Sequence, residues 1–170
     1  MKVLDAQALW DDLGALYFRE LSTFGALPDS VVLHVLRGGR VLQLDQGDTL
    51  YRENERTDSF FVVLRGVVNL YSLQEGGNRI LVRQNPAGTN IGFAAMISLT
   101  PHVVSAVAAE SATVVEIDSR QFSLLHEEEP EAFGILLLNL TRDIARTLMK
   151  LGVRIIELES RNPPSKETNP

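Results

Sequence analysis

The sequence predicts a mainly β domain of the antiparallel barrel or jelly-roll type, flanked by helices and followed by one long helix. Three observations predict it. Short β-rich runs separated by Gly, Asn, Asp and Pro fill the middle of the chain, and apolar residues recur at helical spacing on either side of them. Near the C terminus a heptad-like apolar row runs further than a small barrel can cover.

Taken in order, Leu9, Leu13, Leu16, Tyr17 and Leu21 recur at three- and four-residue steps and predict an amphipathic helix within residues 1–24. Phe24-Gly25 ends it. Leu27-Pro28-Asp29-Ser30 then opens a second helix reaching Leu36, because Pro suits a first turn and acidic charge suits a helix N terminus. After Gly38-Gly39 seven strands are expected: Arg40 to Leu44, Thr49 to Arg52, Ser59 to Leu64, Val67 to Leu73, Arg79 to Gln84, Val103 to Ala108 and Thr113 to Ile117. Glu75-Gly76-Gly77-Asn78 and Asn85-Pro86-Ala87-Gly88 are the turns, since Gly and Asn accept positive φ. Arg79 and Arg83 share one face of their strand by the two-residue period. A helix follows from Ser119 to Leu125, and the triplet Glu127-Glu128-Glu129 is expected at the N-terminal end of the long helix. The resulting plan is a β-roll over 25–128, a long helix over 129–160 and a polar, Pro-rich, disordered tail over 161–170.

On the long helix Phe133, Leu137, Leu140, Ile144, Leu148, Leu151, Ile155 and Leu158 are spaced 4, 3, 4, 4, 3, 4 and 3, a heptad seam with one irregular step. A partner helix is its natural cover, so a parallel homodimer is expected. Arg142, Arg146, Lys150 and Arg154 form a slowly winding basic stripe, read as a solvated flank of the seam, with docking of an acidic partner as the sharper alternative.

At 170 residues the chain fits one domain plus a long helix. A net charge of -6 repels a phosphate backbone, so no nucleic acid is expected as a partner. The chain has no cysteine, which excludes disulfides, thiolate metal sites and thiol nucleophiles. No apolar run approaches the ~20 residues of a bilayer span, and the opening residues lack a secretory signal, so a cytoplasmic protein is expected. His34, His102 and His126 are scattered without metal-ligand spacing, and Ser105 has no neighbouring base, so neither a metal nor a catalytic residue is assigned and no enzyme is expected. A lone loop histidine such as His102 reads as solvated, or as a substitute cation beside an anion.

Gly47-Asp48-Thr49-Leu50-Tyr51, followed by Asp58-Ser59-Phe60-Phe61-Val62-Val63-Leu64-Arg65-Gly66-Val67-Val68, resembles the first half of cyclic nucleotide-binding domains. The resemblance continues through Gly77-Asn78-Arg79-Ile80-Leu81, Gly88 and Ile91-Gly92, covers residues 24–160, and is nearest to the catabolite activator and oxygen-regulator group. It implies a double-stranded β-helix with a long dimerisation helix, and a regulatory sensor for cAMP or cGMP that signals through a separate protein partner. The helix-turn-helix domain of DNA-binding relatives is not expected here.

In that family a cyclic phosphate is held by helix-start amides, a Glu and an Arg. The corresponding cassette is Gly92, Phe93, Ala94, Ala95, Met96 and, on the return strand, Val104, Ser105 and Ala106. Phe93 matches the Glu and Val104 the Arg, so the resemblance implies weakened or altered ligand binding; the Ser105 hydroxyl and the amides after Gly92 remain for an anion. The base-contacting hydroxyls of the family's long helix align with Leu151 and Gly152. A ligand-free interaction or dimerisation scaffold, with Phe93 and Val104 plugging the phosphate site, is the alternative; it expects a Phe93→Glu, Val104→Arg double variant to regain some binding where the fold is otherwise intact.

Overall fold

The structure is a computed structural model, which describes residues 1–74 and 76–161. Two antiparallel sheets stack face to face. The first has the order β1 (Lys2–Val3), β2 (Arg40–Leu44), β9 (Ala112–Asp118), β4 (Ser59–Arg65) and β7 (Asn90–Ile91). The second has the order β3 (Thr49–Tyr51), β8 (Ser105–Ala108), β5 (Val67–Leu73) and β6 (Arg79–Pro86). Five helices complete the fold: α1 (Ala6–Glu20), α2 (Asp29–Gly38), α3 (Phe93–Ser98), α4 (Ser119–Glu128) and α5 (Pro130–Arg161).

The first sheet is buried on both faces, which explains why β4 reads as a continuous apolar run rather than an alternating one. Phe60, Val62 and Leu64 face the helices, where they join Val32, Val35, Phe93, Leu136 and Leu140 in one core. Phe61 and Val63 face the second sheet and pack with Leu44, Val68, Ala106 and Val114 in another. The two-residue strands β1 and β7 escape sequence reading because two residues cannot display a period.

Several expectations need correction. Gly14 takes φ 76° inside α1 and kinks it, so the predicted apolar row changes phase: Leu16 is 69% exposed and Phe18, outside the row, is fully buried. α4 runs on to Glu128, so Glu127 and Glu128 close that helix instead of opening the next. β8 begins at Ser105 rather than Val103. In β6 the register passes from Leu70↔Arg83 to Tyr71↔Leu81, leaving Val82 as an extra residue. That bulge puts Arg83 and Arg79 on opposite faces, against the expectation that they share one. Arg161, expected to open the tail, is instead the last residue of α5, and the rest of the predicted tail lies outside the described residues.

α5 divides into two halves. Ala132, Leu136 and Leu140 are buried on the roll, whereas Leu148, Met149, Leu151, Val153, Ile155, Ile156 and Leu158 are each about half exposed or more. The basic stripe is also exposed: Arg142 bonds Asn139 and Arg154 pairs with Glu157, both on the same helix. No helix among the described residues is long and apolar enough to cross a membrane.

Candidate functional site

The cassette lies between β7 and β8. Gly92 takes φ 83°, a left-handed conformation that turns the chain from β7 into α3, and a Cβ there would lie 3.2 Å from His102 Cε1. Gly92 thus caps α3, and its carbonyl accepts the Met96 amide at 3.1 Å to close the first helical turn. Ala94 is exposed and Ala95 half-buried, while Met96 is buried against the helices. Val104 is half-buried on the return loop, and Ala106 is buried between the sheets.

Phe93 does not face this turn. Its ring packs edge-on against Phe60 and Phe122 at centroid distances of 5.1 and 5.8 Å and is 1% exposed, in the core between the first sheet and the helices. Ser105 also points away: its Oγ accepts the Glu53 amide at 3.0 Å. Ser105 pairs with Tyr71 while its neighbour Ala106 pairs with Leu70, so Ser105 and Tyr71 share the outer face of the second sheet. There they line an open groove of about 390 Å³ with Arg52, Glu53, Arg79 and Val107.

What the turn does hold is His102. His102 is 3% exposed, its ring stacks on Tyr51 at 3.6 Å, and its Nε2 has no hydrogen-bond partner among the described residues. The loop is fixed by the backbone, with the His102 amide donating to the Glu55 carbonyl at 2.9 Å and the Asn54 amide donating to the His102 carbonyl at 2.7 Å. His102 is thus buried, not solvated. Burial holds its pKa below the ordinary histidine value, partly offset by the Glu55 carboxylate. Burial likewise raises the Tyr51 phenol, partly offset by the Arg83 charge. At neutral pH the turn presents a neutral imidazole.

Because the unfolded chain binds that proton more readily than the native one, stability is present above the ordinary histidine pKa of ~6.5 and is lost as pH falls toward the lowered native value. Urea unfolding from about pH 7.5 to about 5.5 is expected to show a steeper loss for the wild type than for His102→Phe, which keeps the stacking on Tyr51. Equal losses would mean that His102 titrates normally.

The long helix reaches the roll through side chains that sequence reasoning missed. Arg83 on β6 donates from Nη1 to Thr147 Oγ1 at 2.7 Å and from Nη2 to Asp143 Oδ2 at 2.9 Å, and Asn90 Nδ2 donates to the same carboxylate at 3.2 Å. Leu151 and Gly152, the expected base-side positions, lie one turn further on: Leu151 is 49% exposed, and nothing lies within 4 Å of a Cβ built on Gly152. The available signal was the polar pair Asp143 and Thr147, four residues apart and flanking Ile144 of the apolar row.

Among the described residues no three His, Asp or Glu side chains come together in a way that could hold a metal.

Comparison with known proteins agrees with this architecture. The chain is 24% identical over 163 residues to the neuropathy target esterase sws of Drosophila willistoni, covering 87% of this chain and 11% of that protein. The chain therefore spans about a tenth of the length of that curated relative. A cyclic nucleotide-binding domain from Methylobacillus flagellatus superposes with a TM-score of 0.77 at 18% identity, over 92% of this chain and 88% of that one. The catabolite activator protein of Thermus thermophilus superposes with a TM-score of 0.68 at 20% identity, over 81% and 63%. The model of the cyclic nucleotide-binding domain family matches residues 41–129, just over half of the sequence. With that match over more than half of the sequence and the two-sheet roll superposing on solved members, the chain belongs to the cyclic nucleotide-binding domain family.

Proposed function

We propose that this domain is a non-enzymatic regulatory module whose output is the placement of α5, and whose binding of cAMP or cGMP is weak because its cassette is rebuilt. The observation that carries the reading is the exchange of two charged groups for apolar ones, Phe93 and Val104. At the cassette the Glu position is Phe93, turned into the helix core, and the imidazole against Gly92 is buried and held neutral. A cyclic phosphate there would meet no fixed charge from the cassette, and each missing charge-assisted hydrogen bond is worth about 1.5–3 kcal/mol. The outward turn of Ser105 removes a further donor.

α5 is the natural output element. Its first half is packed on the roll and its second half carries an uncovered apolar row, which supports a parallel homodimer through that half and signalling to a separate protein. The likeness to the esterase covers too small a share of that protein for its activity to be carried over.

Titration calorimetry of the chain with cAMP and cGMP tests the reading. The expected result is no saturable binding tighter than roughly 100 μM, since loss of two charged contacts corresponds to a weakening of two orders of magnitude or more. Low-micromolar binding of either nucleotide would overturn it.

A further inference from the structure

Arg83 is the cation that sits at the junction of the roll and the long helix. It lies on the face of β6 opposite Arg79, because of the bulge at Val82, and its charge reaches the buried Tyr51 that stacks on His102. The Arg83 side chain is 26% exposed and that of its partner Asp143 is 23% exposed, so the pair is largely withdrawn from solvent. Among the described residues it is the ion pair that joins α5 to a strand. The other side-chain bonds between α5 and the body run from Asn139 to the carbonyls of Thr23 and Gly25, from Asn90 to Asp143 and from Arg83 to Thr147, so among the described residues nothing polar holds the helix beyond Thr147.

We propose that this pair is an anion-operated latch: Arg83 is the anion-binding group of the chain, and Asp143 is a built-in competitor that occupies it until a small-molecule phosphate or carboxylate takes its place. The inference rests on the reading of α5 as the output element and names the regulation of that junction. The chemistry follows from the groups present. Arginine keeps its charge at all accessible pH values and presents parallel N–H donors that suit carboxylate and phosphate equally, so a ligand anion and Asp143 compete for one site. Thr147 supplies a hydroxyl beside the same guanidinium. An anion that wins Arg83 leaves Asp143 half-buried with only Asn90 as a donor, a position a carboxylate does not hold at low cost. The relief is movement of α5 after Asn139, which shifts the population of helix placements.

The test titrates cAMP, as the phosphate-bearing probe, into the wild type and into Asp143→Asn, Asp143→Ser and the double variant Arg83→Gln, Asp143→Asn. Asn keeps the size of the side chain and removes its charge, and Ser serves as a second route should the Asn variant fold poorly. Either single variant is expected to bind at least ten-fold more tightly than the wild type, with the gain lost in the double variant. Equal binding in wild type and single variants, including none in either, overturns the latch, as does a gain that survives loss of Arg83. The weak-binding reading of the cassette is judged from the wild-type titration alone, so the two fail separately.

Discussion

Phe93→Ala is expected to lower the unfolding free energy by about 3–5 kcal/mol, the range for removing a fully buried aromatic ring, with urea denaturation as the measurement. Phe93 is 1% exposed and touches both Phe60 and Phe122, and Phe122 in turn meets Phe133 at the base of α5 with centroids 4.8 Å apart. The ring thus links β4, α3, α4 and α5. Phe93→Glu should cost at least as much, because the cavity remains even if the carboxylate finds a rotamer that reaches solvent, and it deepens the loss if it does not. The regain of some binding expected of a Phe93→Glu, Val104→Arg double variant presupposes an intact fold, and the Phe93 substitution acts first on the aromatic core that this fold rests on. A change below about 1 kcal/mol would show that the cluster is not packed as described.

Leu151→Glu combined with Ile155→Glu is expected to convert the proposed homodimer into a monomer, with at least a roughly 100-fold rise in the dimer dissociation constant by sedimentation or light scattering. Both side chains are about half exposed on the uncovered half of α5, four residues apart in the seam. Each apolar side chain withdrawn from water contributes about 1.5–3 kcal/mol, and a two-fold interface loses each of them twice. The substitutions lie beyond Thr147, where the helix makes no polar contact with the roll among the described residues, so folding of the monomer should be unchanged. A wild type that is monomeric at high micromolar concentration would remove the homodimer from the proposed mechanism.

Much of the roll was legible in the residues themselves. Val67 to Leu73 and Arg40 to Leu44 are the strands that the apolar runs and flanking glycines predicted, because strand ends are set by local turn chemistry. The site was less legible, and each failure has a cause in three dimensions. Val82 is an extra residue opposite no partner, and a bulge that reverses the faces of Arg79 and Arg83 leaves no mark in a run of apolar residues. His102 looks like an ordinary loop histidine until the backbone bonds to Asn54 and Glu55 fold its loop over Tyr51. Ser105 matches a ligand-binding position in type, but strand alternation aims its hydroxyl at the opposite face of the sheet. Leu151 and Gly152 miss the roll by one helical turn, a displacement set by where α5 docks.

The sequence by itself determined the two-sheet roll with its flanking helices, the replacement of charged cassette residues by Phe93 and Val104, and a long helix with more apolar surface than one small domain can bury. Periodicity and turn chemistry are local, and they survive in a one-dimensional record. Only the tertiary structure decided which side chains meet at the junction of roll and helix. Arg83, Asn90, Asp143 and Thr147 are brought together from two strands and a helix up to 64 residues apart, and it is the docking of α5 on the roll, a property of packing rather than of any local pattern, that makes them one site.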